Sequence, residues 1–252
     1  MNLLTIDDVI LTLQNITSTC KNNKDRAGYF AALYWRMTLA VKDGIVNNYF
    51  ENGTLMEALD VCFAKRYIDA FQAYQSFTPC THAWQFAFEN CKKSNLIVLQ
   101  HLLLGINTHI NLDLAIAAAK VAPGNKIHDL ENDFNRINDL IAGLADDIQA
   151  CLATIWPPMK QLGKLLNGQE EALLNFSINK ARQVSWANAV LLANMNEQQQ
   201  QQYIQTMDAG VVNVARGIQQ PGFWIQFLLK WIRMTEYQNI DQNIQLIETV
   251  KN

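Results

Sequence analysis

The sequence lacks the short signatures that mark common cofactor and hydrolase sites. It holds no GxGxxG fingerprint, no P-loop, no HExxH, no ExxH and no GxSxG elbow. Dinucleotide, nucleoside-triphosphate and elbow-type serine hydrolase chemistry are disfavoured on that ground. The missing ExxH weighs most, because the four-helix diiron plan is built on Glu-x-x-His pairs. Glu57, Glu89, Glu131 and Glu170 have no histidine at that spacing. Cysteine is sparse: Cys20, Cys62, Cys80, Cys91 and Cys151 form no CxxC pair. Such an odd, scattered set suits buried thiols in a reducing compartment better than a disulfide framework. There is no Lys/Arg cluster and the formal charge is only −3, so no nucleic-acid groove is expected. The opening MNLLTIDDVILTLQ has acids inside its apolar run and no basic start, unlike a signal peptide. No run is read as a bilayer span, since the most apolar, 96–119, carries two His and Asp113. The expectation is a cytoplasmic protein with no membrane span and no nucleic-acid partner; the sequence carries no signal for oligomeric state.

Strand alternation and internal repeats are absent too. Half of the 252 residues are hydrophobic, with 11 Phe, 7 Tyr and 6 Trp, which is too apolar for a disordered chain and enough for a substantial core. Thr5-x-x-Asp8 forms a capping box that opens a helix over 5–19. Asp25 caps a second helix with Phe30, Leu33, Met37, Ala40 and Val41 on its core face. Thr54-x-x-Glu57 opens a third, over 55–75, and Thr78-Pro79 a fourth. Pro123-Gly124 stops a long central helix. Further helices are expected over 129–155, 170–194 and 197–218, then an apolar one led by Phe223, Phe227, Leu228 and Trp231, with a short one in the tail. A short segment 159–167 and a turn at Asn167-Gly168 fall between. The predicted fold is all-α: about ten helices around a buried central helix of about residues 95–120. One domain over 1–252 is expected, with a subdomain boundary near 156–168.

The central stretch, NLIVLQHLLLGINTHINLDLAIAAAK, is apolar on nearly every side yet carries His101, His109 and Asp113. At about 100° per residue, Gly105, His109 and Asp113 fall at about 40°, about 80° and about 120° from His101, one drifting stripe. A helix of this kind is buried, and its ionisable groups need partners. His109 and Asp113, at i,i+4, sit side by side and suit one hydrogen bond or one metal ion. His101 lies about 12 Å of axis away, placing it for proton transfer, substrate contact or support of a ligand rather than for binding the same ion. Gly105 leaves a notch or room for a closely packed helix. On the third helix Asp60 shares the aromatic face of Tyr67 and Phe71, while Arg66 and Asp69 are close enough to pair. Asp133 is a further acid on a core face, near a helix start. His82, two residues from Trp84, lies either on a pocket wall or on a plain surface.

The segments LMEALDVCFAKRYIDAF (55–71), IVLQHLLLGINTHINLDLAIAAA (97–119) and DFNRIND (133–139) resemble an uncharacterised, mostly bacterial family of helical proteins known only as a domain of unknown function. The resemblance covers about residues 25–235. It implies a helical fold and points to Asp60, Arg66, Tyr67, Asp69, His101, Gly105, Asn107, His109, Asn111 and Asp113, together with Asp133 and Asn138. Lys65 departs from it, since the family tends to a small amide there. No reaction follows from it.

Two functional expectations come from different classes. The first is a metal-dependent enzyme, a hydrolase acting on a small, partly apolar substrate. His109 and Asp113 would bind the ion, completed by Asp60 or Asp133, with His101, Asp60 and Tyr67 as catalytic residues and Tyr67 and Trp84 walling the pocket. Nitrogen and oxygen donors suit one divalent ion, zinc, iron or manganese, and no nucleotide cofactor; an iron-dependent oxygenase is a variant of this reading. The second is a non-catalytic scaffold, or a protein binding a small ligand or partner, whose His/Asp stripe is a buried hydrogen-bond network. A hollow beside Gly105 would favour a ligand; a saturated network would favour the scaffold.

Overall fold

Side-chain carboxylates from distant parts of the chain set the starts of three consecutive helices. The computed structural model describes residues 4–158 and 169–249, with side chains withheld for 142–147 and 169–177. These residues form eleven α-helices and no strand: α1 Ile6–Asn22, α2 Ala27–Val46, α3 Gly53–Gln75, α4 His82–Cys91, α5 Val98–Thr108, α6 Leu114–Val121, α7 Glu131–Ile155, α8 Gln169–Ala193, α9 Glu197–Gln219, α10 Phe223–Thr235 and α11 Ile240–Thr249. The segment 159–167 and the Asn167-Gly168 turn lie outside the described residues, as does most of the boundary expected near 156–168.

α1 opens on the expected box: Thr5 Oγ1 accepts from Asp8 N, and Asp8 Oδ2 accepts from Thr5 N. Asp25 accepts from Ala27 N at 2.9 Å, though Arg26 holds the cap position of α2. The start of α3 differs from expectation. Asn52, not Thr54, caps it, while Glu57 accepts from Ile6 N of α1. Asp133 of α7 secures the same end, its two oxygens accepting from Glu51 N and Asn52 N at 2.8 Å each. α4 starts at His82 behind Thr81 rather than at Thr78-Pro79. Thr78 instead ends α3: its N–H and hydroxyl both donate to the Ala73 carbonyl, behind a left-handed Phe77. Asp208 of α9 caps α4, accepting from His82 N and Ala83 N. Glu236 does the same for α5 through Val98 N. A carboxylate at a helix N-terminus satisfies orphan N–H groups and the helix dipole together.

α5 and α6 are halves of one helix, Val98–Val121, joined by a π-helical turn at His109–Asp113. Leu114 N–H donates to the His109 carbonyl, five residues back. One extra residue in a turn rotates everything after it by about 100°, so a stripe drawn with regular α-helical angles does not carry through Asp113. By length and hydropathy this helix is long enough to cross a bilayer, contrary to the reading of the sequence; 72% of its most apolar window is buried inside the protein. α9 packs on α4 and α5, α8 on α6 and the π turn, α3 on α6, and α11 on α1 and α2. Asn107 and Gln100 tie the central helix to α9, donating to Val211 O (3.1 Å) and Ile218 O (2.8 Å).

Gly105 is where α2 crosses this helix. A β-carbon there would stand 2.4 Å from Phe30 Cγ, so the notch holds the Phe30 ring and is not a hollow. α10 behaves unlike a core helix. Ile232 is its one buried residue, and Phe223, Trp224, Phe227, Trp231 and Met234 point outward.

Candidate functional site: a histidine–aspartate pair beside an apolar cavity

Asp113 is completely buried, and three donors from three helices converge on it. Arg66 Nε of α3 donates to Oδ1 at 2.7 Å, and Trp84 Nε1 of α4 donates to Oδ2 at 2.7 Å. His109 Nδ1 lies 3.1 Å from the same Oδ2, one turn away. Burial pushes the Asp113 carboxyl up, but the Arg66 guanidinium and the His109 and Trp84 hydrogen bonds outweigh it and hold the group below its ordinary value. Asp113 is therefore ionised, and His109 donates from Nδ1. Burial draws the His109 pKa down despite the opposing effect of Asp113, so the ring is neutral at neutral pH. Its Nε2 presents a lone pair, buried and without a hydrogen-bond partner among the described residues.

Aromatic rings fix the orientation of that imidazole. Phe63 stacks on it at 3.6 Å between centroids and 8° between planes, and Tyr34 meets it edge-on at 4.4 Å. Phe30, Trp84 and Tyr67 complete the cage at about 6 Å. Sequence periodicity held the clue to two of these walls: Tyr34 lies one turn from Phe30 on α2, and Phe63 shares the α3 face with Asp60.

His109 also lines a cavity of about 140 Å³ bounded by α2, α3, the central helix, α7 and α8. Its walls are mostly Leu, Ile, Met and Phe; the polar exceptions are Tyr34, Asp60, His109 and Arg182. Three of these carry buried atoms with no hydrogen-bond partner among the described residues: Tyr34 Oη, Asp60 Oδ2 and His109 Nε2. The Thr38 hydroxyl, one turn from Tyr34, donates to the Tyr34 backbone carbonyl at 3.0 Å and lies near enough to the phenol to oppose slightly the strong upward push of burial on its pKa. Burial, with a smaller push from Glu57, raises Asp60 to about 7. Orphaned buried polar atoms are costly. Three on one apolar cavity are the constellation that a ligand's polar groups would satisfy.

Several expected site residues fall elsewhere. Asp133 is occupied at the start of α3. Asp113 already carries three donors, so it is a poor direct metal ligand. Among the described residues no group of three or more His, Cys, Asp or Glu stands where it could hold a metal ion. His101, with both ring nitrogens unpartnered and burial drawing it down to about 3, lines a separate polar cavity of about 10 Å³ with Arg26, Tyr29, Arg233 and Glu236. That volume takes about one water molecule. Tyr67 is fully buried and Trp84 nearly so, and neither lines the His109 cavity. Asp69 pairs with Lys65 at 2.8 Å, not with Arg66, whose true partner is Asp113, 47 residues along the chain. The His82 ring is 88% exposed and pairs with Asp208.

Residues 6–221 match the family of unknown function DUF5995. No curated protein and no solved structure matches the chain. With the match spanning most of its length, this chain belongs to that family.

Proposed function

We propose that this protein binds a small, largely apolar molecule in the cavity beside His109, and that His109 Nε2 receives a hydrogen bond from it. The observation that carries this reading is the set of three buried atoms without a partner among the described residues, Tyr34 Oη, Asp60 Oδ2 and His109 Nε2, carried by residues from three helices that line one apolar cavity. Other buried atoms of the described residues also lack a partner, Tyr67 Oη among them, but only here do three of their residues line one apolar cavity. The cavity is close in size to one that takes a benzene ring, so the ligand or its buried part is of about that bulk. About eight to ten heavy atoms at roughly 0.6 kcal/mol each would bind with a Kd of tens to hundreds of micromolar.

A second reading, acid–base catalysis on that ligand, is favoured by the contrast between the two titratable groups. His109 is a neutral base held by an ionised carboxylate, while Asp60, at about 7, retains its proton over much of the neutral range. His109 would take a proton from the ligand, Asp60 would give one, and Asp113 with Arg66 would stabilise the imidazolium. The hydrolase and oxygenase alternatives need an ion with more donors than the described residues gather at one point.

The test is calorimetric titration with p-cresol and toluene, which differ by one hydroxyl. Both should bind, p-cresol more tightly, and its advantage should vanish in His109→Phe, with Tyr34→Phe as a milder second variant. Failure of both probes to bind would overturn the proposal.

A further inference from the structure

Among the described residues Arg182 is the one cation lining this cavity, and it has no acidic partner. It reaches from α8, only 4% exposed. Its Nε donates to Asn138 Oδ1 at 2.6 Å and its Nη2 to the Phe134 carbonyl, both on α7. The guanidinium carbon sits 4.5 Å over the Phe134 ring. Every one of these contacts is to a neutral group. No carboxylate lies within ion-pair distance of it among the described residues, although Asp60 lines the same cavity. Buried arginines are normally paired, because an isolated ion gives up its hydration for nothing in return. Asn138 and Phe134 also fix the fork by two of its five N–H groups, leaving Nη1 unengaged among the described residues. A guanidinium held rigid, desolvated and without a counter-ion at the edge of an apolar space is prepared for a planar anion.

Resting on the cavity proposed above, we infer that its ligand is an apolar monocarboxylate: the carboxylate meets Arg182, and the apolar body runs along the isoleucines of α7 toward His109, Asp60 and Tyr34. The polar groups then divide between the two roles. Arg182 supplies the counter-charge; at the far end of the molecule His109 Nε2 accepts from a hydroxyl, and the Tyr34 hydroxyl donates to a carbonyl. A carboxylate against Asp60 itself would be repelled above neutral pH, which sets the orientation.

The experiment titrates the full chain at pH 8 with phenylacetate and with its isosteric amide, phenylacetamide, and adds toluene as a neutral probe. The expected result is that phenylacetate binds roughly 10- to 100-fold more tightly than the amide, the range for a hydrogen bond to a charged group. In Arg182→Gln this preference should collapse while toluene binding persists. Arg182→Lys, which keeps the charge without the fork, should retain part of it. Should Arg182→Gln not fold, the wild-type pair of affinities decides alone. Equal affinity for acid and amide, with toluene bound, would overturn the monocarboxylate inference and leave the cavity reading standing. No binding of any of the three would bring down both.

Discussion

Asp60→Asn isolates the cost of placing a carboxyl on an apolar wall. In the folded protein Asp60 is raised from 3.8 to about 7, first by burial and then by Glu57. A carboxyl whose folded pKa is raised holds its proton where the unfolded chain has already released it. Stability is then highest below about pH 4, falls as pH climbs toward 7, and is level above that. A shift of about three units corresponds to roughly 4 kcal/mol across this window. This is an upper value, since water entering the 140 Å³ cavity would relieve the carboxylate. Asparagine is nearly isosteric and does not titrate. Its amide still lacks partners, at a cost of about 1–3 kcal/mol that does not depend on pH, so the slope is diagnostic rather than the absolute stability. Glu236, also raised to about 7 by burial, and the neighbouring Glu57 are common to both proteins and largely cancel in the comparison. Urea unfolding at intervals from pH 4.5 to 8 should show the wild type losing about 2–4 kcal/mol relative to the variant. Parallel curves would refute the assignment of Asp60 as a buried, unpartnered acid.

Three more outcomes follow from the same geometry. Gly105→Ala should destabilise by about 1–3 kcal/mol in chemical denaturation, because its methyl group would collide with the Phe30 ring; helix propensity alone would give a gain of up to about 1 kcal/mol. Tyr34→Phe should stabilise the ligand-free protein by about 1 kcal/mol, since the hydroxyl it removes has no partner in good hydrogen-bond geometry among the described residues, and a loss of stability in calorimetry would mean that the phenol is satisfied, with the nearby Thr38 hydroxyl as the first candidate. His101→Leu bears on acid stability. Burial holds His101 neutral down to about pH 3, so the stability it contributes is complete above about 6.5 and is lost as pH falls toward 3; the variant should show a flatter loss of stability between pH 6 and pH 4 when followed by circular dichroism.

Most of the helices were legible because periodicity and punctuation agree. The Thr5/Asp8 box and the Pro123-Gly124 stop stand where the sequence puts them. The errors came where distant contacts decide a boundary. Thr78 reads as a cap, but its hydroxyl turns back to close α3, and α4 waits for Asp208 from α9. Asp133 looks out of place on a core face until Glu51 and Asn52 supply its partners. At the candidate site, the His109–Asp113 neighbourhood was legible from i,i+4 spacing, and the burial of Asp60 from its aromatic face. Arg66 and Trp84 as donors to Asp113 were not, since that convergence depends on three helices meeting. The π turn that separates α5 from α6 has no period in the sequence by which to announce itself. Nothing in the spacing of Arg182 sets it apart, and its meaning appears once α7 provides neutral contacts and no acid among the described residues.

The central claim is that His109 offers a free Nε2 lone pair to a molecule in the cavity. Nitrogen-15 NMR of the imidazole at pH 7.5, with and without p-cresol, tests it most directly. We expect a neutral ring protonated on Nδ1 in the free protein, and a marked upfield shift confined to Nε2 when the phenol binds. A ring protonated on Nε2, or an Nε2 signal unmoved at saturating p-cresol, would contradict it.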